Sequence, residues 1–275
     1  MKFLAETALL THGLASLTNE EIRQEWMEAF GGTPRGEEFR VRHDGREPHV
    51  VWLENGQIKT GGIDEYLRIR SDIKSDNLKN VLRVDARTLD EAVFQGKTAA
   101  LTASATMEIC RRKNIEAAVT AGMGGIGDIK GEELCPDLPG ILNSGVILIS
   151  TGPKDMLDRA ATMEWLTSRG AQVVSAASEE CTGYVFIDEP LSLPSLSKLK
   201  KTAAPLLIIN EIPESKRIID KNILAEAISA GKQAEQRGEF YHPAVNSEID
   251  RLIDGYSSKI QLRSFIENIK LAQEL

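Results

Sequence analysis

Short apolar runs alternate with amphipathic segments through the middle of this chain, and that alternation narrows the fold more than any other feature. Residues 117–120 and 146–150 are apolar runs of strand length, Val173-Val174 opens another, and residues 206–210 supply a further one. Between them, residues 98–113 place Leu101, Ala105, Ile109 and Cys110 on one helical face, and residues 155–169 read as the helix after the 146–150 strand. Strands alternating with helices predict an α/β layer fold with a largely parallel sheet. Nearer the start, residues 18–30 read as an amphipathic helix with Thr18 or Asn19 as cap and Gly31-Gly32 as stop. Val50, Val51 and Trp52 lead into Asn55-Gly56 and on to Ile58, a hairpin signal. Residues 64–70 and 90–95 read as short helices, and two long helical stretches near 219–236 and 246–275 close the chain. No repeat, low-complexity run or linker divides residues 1–275, so one domain is expected.

Charge and cysteine usage exclude some functions. A net charge of −8 argues against non-specific nucleic-acid binding, which needs basic surface to displace counterions. An anionic small molecule remains compatible, because a local pocket can be positive on an acidic protein. Cys110, Cys135 and Cys181 form no Cys-x-x-Cys pair and read as reduced thiols. Glu6 interrupts the N-terminal apolar run too early for a signal peptide, and no apolar stretch approaches the roughly 20 residues that span a bilayer. A cytoplasmic protein without membrane partners is expected.

Four stretches carry candidate chemistry. In Val146-Ile147-Leu148-Ile149-Ser150-Thr151-Gly152-Pro153-Lys154 a buried strand ends in a tight turn, with Lys154 expected in the first turn of the next helix. Ligand sites of open α/β sheets lie past the C-terminal strand ends. The positive end of a helix dipole would disfavour an ammonium there, and a partly neutral lysine can attack a carbonyl-level carbon to form an imine. The plainer alternative is a surface lysine paired with Asp155 or Asp158. Thr120-Ala121-Gly122-Met123-Gly124-Gly125-Ile126-Gly127 is a glycine-rich strand end whose amides could cradle an anion, or whose glycines serve conformation alone. In Glu132-Glu133-Leu134-Cys135-Pro136-Asp137, the carboxylates of Glu133 and Asp137 could share Mg²⁺ or Mn²⁺, or simply be solvated. Glu6, close before Thr11-His12-Gly13, sits in an apolar segment where burial would raise its pKa, as a proton donor requires.

The order of these stretches resembles the pseudouridine-5'-phosphate glycosidase (indigoidine synthase A-like) family. That family carries a Glu-(Ser/Thr)-x-x-x-x-His-Gly start, a segment ending Ala-Thr-Met, a Gly-Gly-Ile-Gly-Gly loop and Asp-Ile-Ser-Ala-Asp-Leu. It continues with a strand ending Ala-Gly-x-Lys-Ser-Ile-Leu-Asp and with Ala-Asn-Pro-Ile-Pro. The chain is similar at Glu6-Thr7 to His12-Gly13, at Ser104-Ala105-Thr106-Met107, at Gly122-Met123-Gly124-Gly125 and at Glu133-Leu134-Cys135-Pro136-Asp137-Leu138. It is similar again at Thr151-Gly152-Pro153-Lys154-Asp155-Met156-Leu157-Asp158 and at Ile209-Asn210-Glu211-Ile212-Pro213. The collinearity extends over Met163-Glu164-Trp165-Leu166 and Lys259-Ile260-Gln261-Leu262.

The resemblance implies a three-layer α/β/α sandwich around a largely parallel or mixed sheet, assembled as a homotrimer. It implies that Lys154 opens a ribose ring and forms an imine at C1, with Glu6 donating or accepting the proton on the base. Glu133 would bind Mn²⁺ (Mg²⁺, or no metal, if the altered site has changed), and Arg83, Ala103, Cys135, Pro136, Asp137 and Asn210 would contact substrate. The implied ligand is a small phosphorylated sugar or nucleotide such as pseudouridine 5'-phosphate. Departures from the pattern are Arg83 for a lysine, Gly127 for a histidine, Glu133 for an aspartate, Cys135-Pro136 for Ser-Ala and Lys259 for an asparagine. A retained Glu6–Lys154 pair in an altered pocket also fits an imine-forming lyase, aldolase or C-glycoside synthase on another sugar phosphate, or a silent ligand-binding relative.

Overall fold

The structure, a computed structural model, describes residues 1–30, 48–75, 82–199 and 201–275. In chain order the strands are β1 (Phe3–Ala5), β2 (Val50–Glu54), β3 (Gln57–Gly61), β4 (Leu82–Val84), β5 (Ala99–Leu101), β6 (Ala117–Val119) and β7 (Gly122–Met123). Then come β8 (Ile147–Ser150), β9 (Gly152–Pro153), β10 (Gln172–Ser175), β11 (Glu180–Cys181), β12 (Leu191–Ser192) and β13 (Leu206–Ile209). The helices are α1 (Asn19–Phe30), α2 (Ile63–Ser75), α3 (Leu89–Phe94), α4 (Ala103–Lys113), α5 (Asp137–Asn143), α6 (Arg159–Thr167), α7 (Lys221–Gln236), α8 (Tyr241–Leu252) and α9 (Tyr256–Glu274).

The main sheet runs β10-β13-β8-β6-β1-β2-β5-β4, with β3 on β2. From β10 to β2 every pairing is parallel, while β5 runs antiparallel to β2 and β4 parallel to β5. The central strands are apolar on both faces along most of their length, with the buried Ser150 and Ser175 at the ends of β8 and β10. Ala117, Val119, Ile147, Ile149, Leu206 and Ile208 join one core with residues of α1, α2, α7, α8 and α9. Their neighbours Ala118, Leu148, Leu207 and Ile209 join a second core with α3, α4, α5 and α6. A two-residue side-chain period with both phases apolar is what a sheet covered on both faces requires. The fold is therefore the expected α/β/α arrangement around a mostly parallel sheet.

The local signals hold where the chain supplies its own bonds. The Thr18 hydroxyl accepts from the Glu21 amide at 3.2 Å and the Glu21 carboxylate accepts from the Thr18 amide at 2.8 Å, so Thr18 is the cap of α1. The proposed Gly31-Gly32 stop lies outside the described residues. Asn55 (φ 50°) and Gly56 (φ 73°) make the left-handed pair that a two-residue hairpin turn needs.

Three boundaries differ. Residues 99–101 form β5 rather than the start of a helix, because Thr102 caps α4 by accepting from the Ala105 amide. The helix after β8 starts at Arg159, where Asp158 caps it through the Ala161 amide at 2.8 Å. The last helical stretch is two helices, broken where Asp254 (φ 50°) and Gly255 (φ 74°) turn left-handed, and the first of them begins at Tyr241. The three cysteines are buried and unpaired. Among the described residues, no helix is long and apolar enough to cross a membrane.

One buried cation holds the N-terminal side of the site in shape. Arg70 is fully buried and donates to the carbonyls of Leu10 (2.6 Å), Leu14 (3.3 Å) and Leu17 (3.1 Å), and to the Asn19 side chain. Burial pulls its pKa down to about 10, so it stays charged at neutral pH. Those carbonyls end the single wide helical turn Leu9–Gly13 and the chain after it. Arg70→Met keeps much of the volume and removes every donor. We expect a loss of roughly 3 kcal/mol in urea unfolding, since buried acceptors left unpaired cost about 1–3 kcal/mol each. An unchanged midpoint would mean that these carbonyls find other donors.

Candidate active site

The site forms where strand direction changes, beside the shared ends of β1, β5, β6 and β8. Immediately after β1, Glu6 turns inward, and its backbone amide donates to Val119 at 3.0 Å. Thr7 then joins the two halves of the sheet. Its hydroxyl donates to the Val51 carbonyl at 2.8 Å and accepts from the Leu101 amide at 3.0 Å. Past β6, the Thr120 hydroxyl donates to Glu6 Oε1 at 2.5 Å. Asn268 of α9 fixes this corner, donating to the Thr120 carbonyl (2.7 Å) and the Thr151 hydroxyl (2.9 Å).

Lys154 follows a short parallel ribbon rather than opening a helix. β7 and β9 pair Gly122 with Gly152 and Met123 with Pro153, and the Lys154 amide donates to the Met123 carbonyl at 3.1 Å. The glycine-rich stretch and the lysine stretch are thus one structure. The expected helix-dipole effect on Lys154 does not apply, because α6 begins five residues later. Burial does the same job: together with the nearby Arg83 guanidinium it lowers the Lys154 pKa. Nor is Lys154 tied to its acidic neighbours. The Asp155 carboxylate accepts from the amides of Tyr184, Val185 and Phe186 at 3.0–3.1 Å, and Asp158 is spent on the cap of α6.

Glu6 and Lys154 line one cleft of about 470 Å³. Glu6 is 6% exposed, and burial raises its pKa to about 7, against the lowering pull of Thr120 and Lys154. Asp137 lines the same cleft, with its two oxygens accepting from the Ser104 amide (2.9 Å) and the Gly124 amide (2.8 Å). Of the two readings of the glycine stretch, this bonding favours the conformational one. The Gly124 amide serves Asp137, the Ile126 amide serves the Thr162 hydroxyl and the Gly127 amide serves the Glu133 carbonyl. The glycines are conformational: a Cβ on Gly124 would stand 2.0 Å from the Cys135 sulfur.

The remaining expected residues divide clearly. Arg83 and Ala103 line the cleft. Arg83 has a loose ion pair with Glu132 at 3.7 Å and also borders an adjoining cleft of about 390 Å³. Cys135 is buried behind Gly124, with its thiol pushed well up by burial, and Pro136 precedes α5 as its cap. Neither lines the cleft. Asn210 stands behind it, donating to the Asn268 side chain at 3.1 Å, so its contact is to the fixing network.

Glu133 is not brought to Asp137. It is exposed, with its carboxylate accepting from the Gly131 amide at 3.1 Å, and Glu132 is the acidic residue that reaches Arg83. Among the described residues no group of three or more His, Cys, Asp or Glu side chains is arranged to hold a metal ion. Residues that sequence reasoning did not assign also line the cleft: His12 from the Leu9–Gly13 turn, Thr102, and His242 and Asn246 from α8.

Comparison with known proteins gives this geometry its relatives. The family described as indigoidine synthase A like protein matches residues 5–275. The chain belongs to that family. Proteins similar to this chain include pseudouridine-5'-phosphate glycosidases of Petrotoga mobilis (26% identical, over 98% of this chain and 89% of that protein) and Thermotoga maritima (27%, over 98% and 92%). The crystal structure of an indigoidine synthase A-like protein from Thermotoga maritima is similar with a TM-score of 0.76 at 25% identity, covering 99% of this chain and 91% of that one. The prealnumycin C-glycosynthase AlnA, solved in complex with ribulose 5-phosphate, shares the fold with a TM-score of 0.71 at 21% identity, over 98% and 89%.

Proposed function

We propose that this indigoidine synthase A-like chain cleaves the bond at C1 of a nucleoside 5'-phosphate, pseudouridine 5'-phosphate being the leading substrate. The carrying observation is the pairing in one cleft of a lysine with a depressed pKa and a carboxyl that titrates near pH 7. The names of the relatives support the substrate class.

The chemistry follows from the bond. A carbon–carbon glycosidic bond has a poor leaving group, so the two-carboxylate route of ordinary glycosidases does not suffice. The neutral Lys154 amine adds to C1, the C1–O4 ring bond breaks, and the ring oxygen takes up a proton. The nitrogen lone pair then forms C=N as the bond from C1 to the heterocycle breaks, and Glu6 delivers a proton to the heterocycle carbon that takes the bonding pair. Water hydrolyses the imine, returning the amine and releasing ribose 5-phosphate. Substrate and one water give base and sugar phosphate. By microscopic reversibility the same residues would join a heterocycle to C1.

Arg83 is the cation placed to balance the phosphorylated sugar. Manganese has no step in this scheme, since Glu133 lies outside the cleft. A cytoplasmic homotrimer is the proposed assembly, to be read by light scattering.

Incubation with pseudouridine 5'-phosphate and chromatography for uracil checks the proposal. Uracil release should match ribose 5-phosphate release one to one. Turnover that yields no free base would favour an imine-forming lyase or aldolase on another sugar phosphate.

A further inference from the structure

Next to the lysine stands a carboxylate that the chemistry above does not use. Asp155 takes three consecutive backbone amides: Oδ1 accepts from Tyr184 and Phe186 at 3.1 Å, and Oδ2 accepts from Val185 at 3.0 Å. Burial pushes its pKa up to about 6 against those bonds, so the charged form holds the segment at neutral pH. Taking a charge out of water costs free energy even when it is well bonded. A carboxylate kept at that cost beside the nucleophile, yet outside the cleft, calls for a reason.

The reason lies in what the 183–186 segment touches. It packs against the β7–β9 ribbon that leads into Lys154. A Cβ on Gly152 would stand 3.7 Å from the Gly183 carbonyl oxygen, and a Cβ on Gly122 would stand 2.5 Å from the Tyr184 ring. Gly122 and Gly152 are paired across the ribbon, and Gly122 lines the cleft. The Tyr184 ring is buried, and its hydroxyl donates to Gln261 of α9 at 3.2 Å. Gly183 has a φ of 121°, and a Cβ there would run into the Phe186 carbonyl oxygen, so the turn is tight. These contacts close a ring. It runs from Asp155 to the 184–186 backbone, from the Tyr184 ring to Gly122, from Gly122 to Gly152, and along the chain to Lys154 and Asp155 again.

We infer that Asp155 is a positioning residue for the reaction: by clamping the 184–186 backbone against the β7–β9 ribbon, it fixes the Lys154 amine in the cleft and shields it from water. This rests on the C1-cleavage reading and names what keeps the nucleophile in place. The sign of one effect separates a clamp from a through-space charge. Asp155→Asn keeps the shape, removes the charge and replaces one of the two acceptor oxygens with a donor. Loss of a nearby negative charge would by itself lower the pKa of an ammonium. Wetting of the amine would raise it, since burial is the leading cause of its depressed pKa. The groups that face the amine, Arg83, Glu6, Cys135, Asp137 and His242, are the same in both proteins.

The test is acetic anhydride labelling of the full chain across a range of pH, with the Lys154 peptide quantified by mass spectrometry, alongside kcat and KM for pseudouridine 5'-phosphate. In Asp155→Asn the labelling midpoint of Lys154 should rise by about one pH unit or more. At neutral pH kcat should fall about tenfold or more, with KM within roughly threefold of wild type. A midpoint that does not rise in folded Asp155→Asn overturns the inference, whatever the melting temperature does. An unchanged midpoint would make Asp155 a stabilising residue only, and a lowered one would make it a local charge. If Asp155→Asn does not fold, Tyr184→Leu is read in its place. It leaves the carboxylate and the three amides bonded and removes the ring beside Gly122, so the same rise is expected and its absence counts against the clamp. Labelling needs no sugar, which keeps the two readings apart. Wild type that releases no uracil while the variant's midpoint rises would defeat the C1 reading alone, and uracil release with an unmoved midpoint would defeat the clamp alone.

Discussion

Lys154→Ala is expected to lower turnover of pseudouridine 5'-phosphate by on the order of 10⁴-fold or more, the scale of losing a covalent nucleophile. The substitution removes the amine and leaves its surroundings in place. The bond from the residue-154 amide to Met123 is backbone to backbone, and the β7–β9 ribbon beneath it does not use the side chain. Lys154→Arg separates nucleophile from charge, because a guanidinium is never neutral at usable pH and cannot form an imine. Both variants should be equally inactive, with circular dichroism and melting close to wild type. Substantial activity in Lys154→Arg would mean that the residue supplies only positive charge.

Glu6→Gln should lower the same turnover by about 10²–10⁴-fold, the usual contribution of a positioned acid or base. It should also delete the limb near pH 7 from the pH–rate profile, since that limb belongs to the carboxyl raised to about 7. Stability should change with it in a defined direction. The folded protein keeps the Glu6 proton up to about pH 7, while an unfolded glutamic acid loses it near 4.5. The contribution is therefore full below pH 4.5 and lost as pH rises through 7, a fall of roughly 3 kcal/mol in unfolding free energy. The glutamine variant escapes that fall, so urea midpoints of the two proteins should diverge in its favour between pH 5 and pH 8. Parallel midpoints would place the residue-6 carboxyl in water rather than in the core beside Thr120.

What could be read from sequence was what is locally encoded. The apolar runs at 146–150 and 206–210 are strands because both phases of their two-residue period are apolar, and the Asn55-Gly56 turn is built from residues that tolerate positive φ. Glu6 and Lys154 were legible as the ends of buried segments, and the cleft brings them together. For Lys154 the structure supplies a different cause from the expected helix dipole. A strand end followed by Asp-Met-Leu-Asp looks like an immediate helix, but Asp155 is bonded to the 184–186 backbone and Asp158 is the cap, which delays α6 to Arg159. Burial replaces the dipole as the cause of the lowered pKa.

The acidic stretch shows a different limit. Glu132 and Glu133 are adjacent and alike, and only the tertiary position of Arg83 decides which of them pairs with that guanidinium. His242 and Asn246 were out of reach for a related reason. They lie far along the chain from Glu6 and enter the cleft only because α8 packs against the Leu9–Gly13 turn. The one available signal was Tyr241-His242-Pro243, a proline near a helix start that would have placed the histidine in a first turn.

Borohydride reduction of the protein incubated with ribose 5-phosphate, followed by peptide mass spectrometry, addresses the covalent step itself. The expected product is one pentose phosphate joined through a secondary amine to the peptide that contains Lys154, and to no other lysine. Recovery of that peptide unmodified under saturating sugar phosphate, or label spread over surface lysines, would contradict imine chemistry at this position.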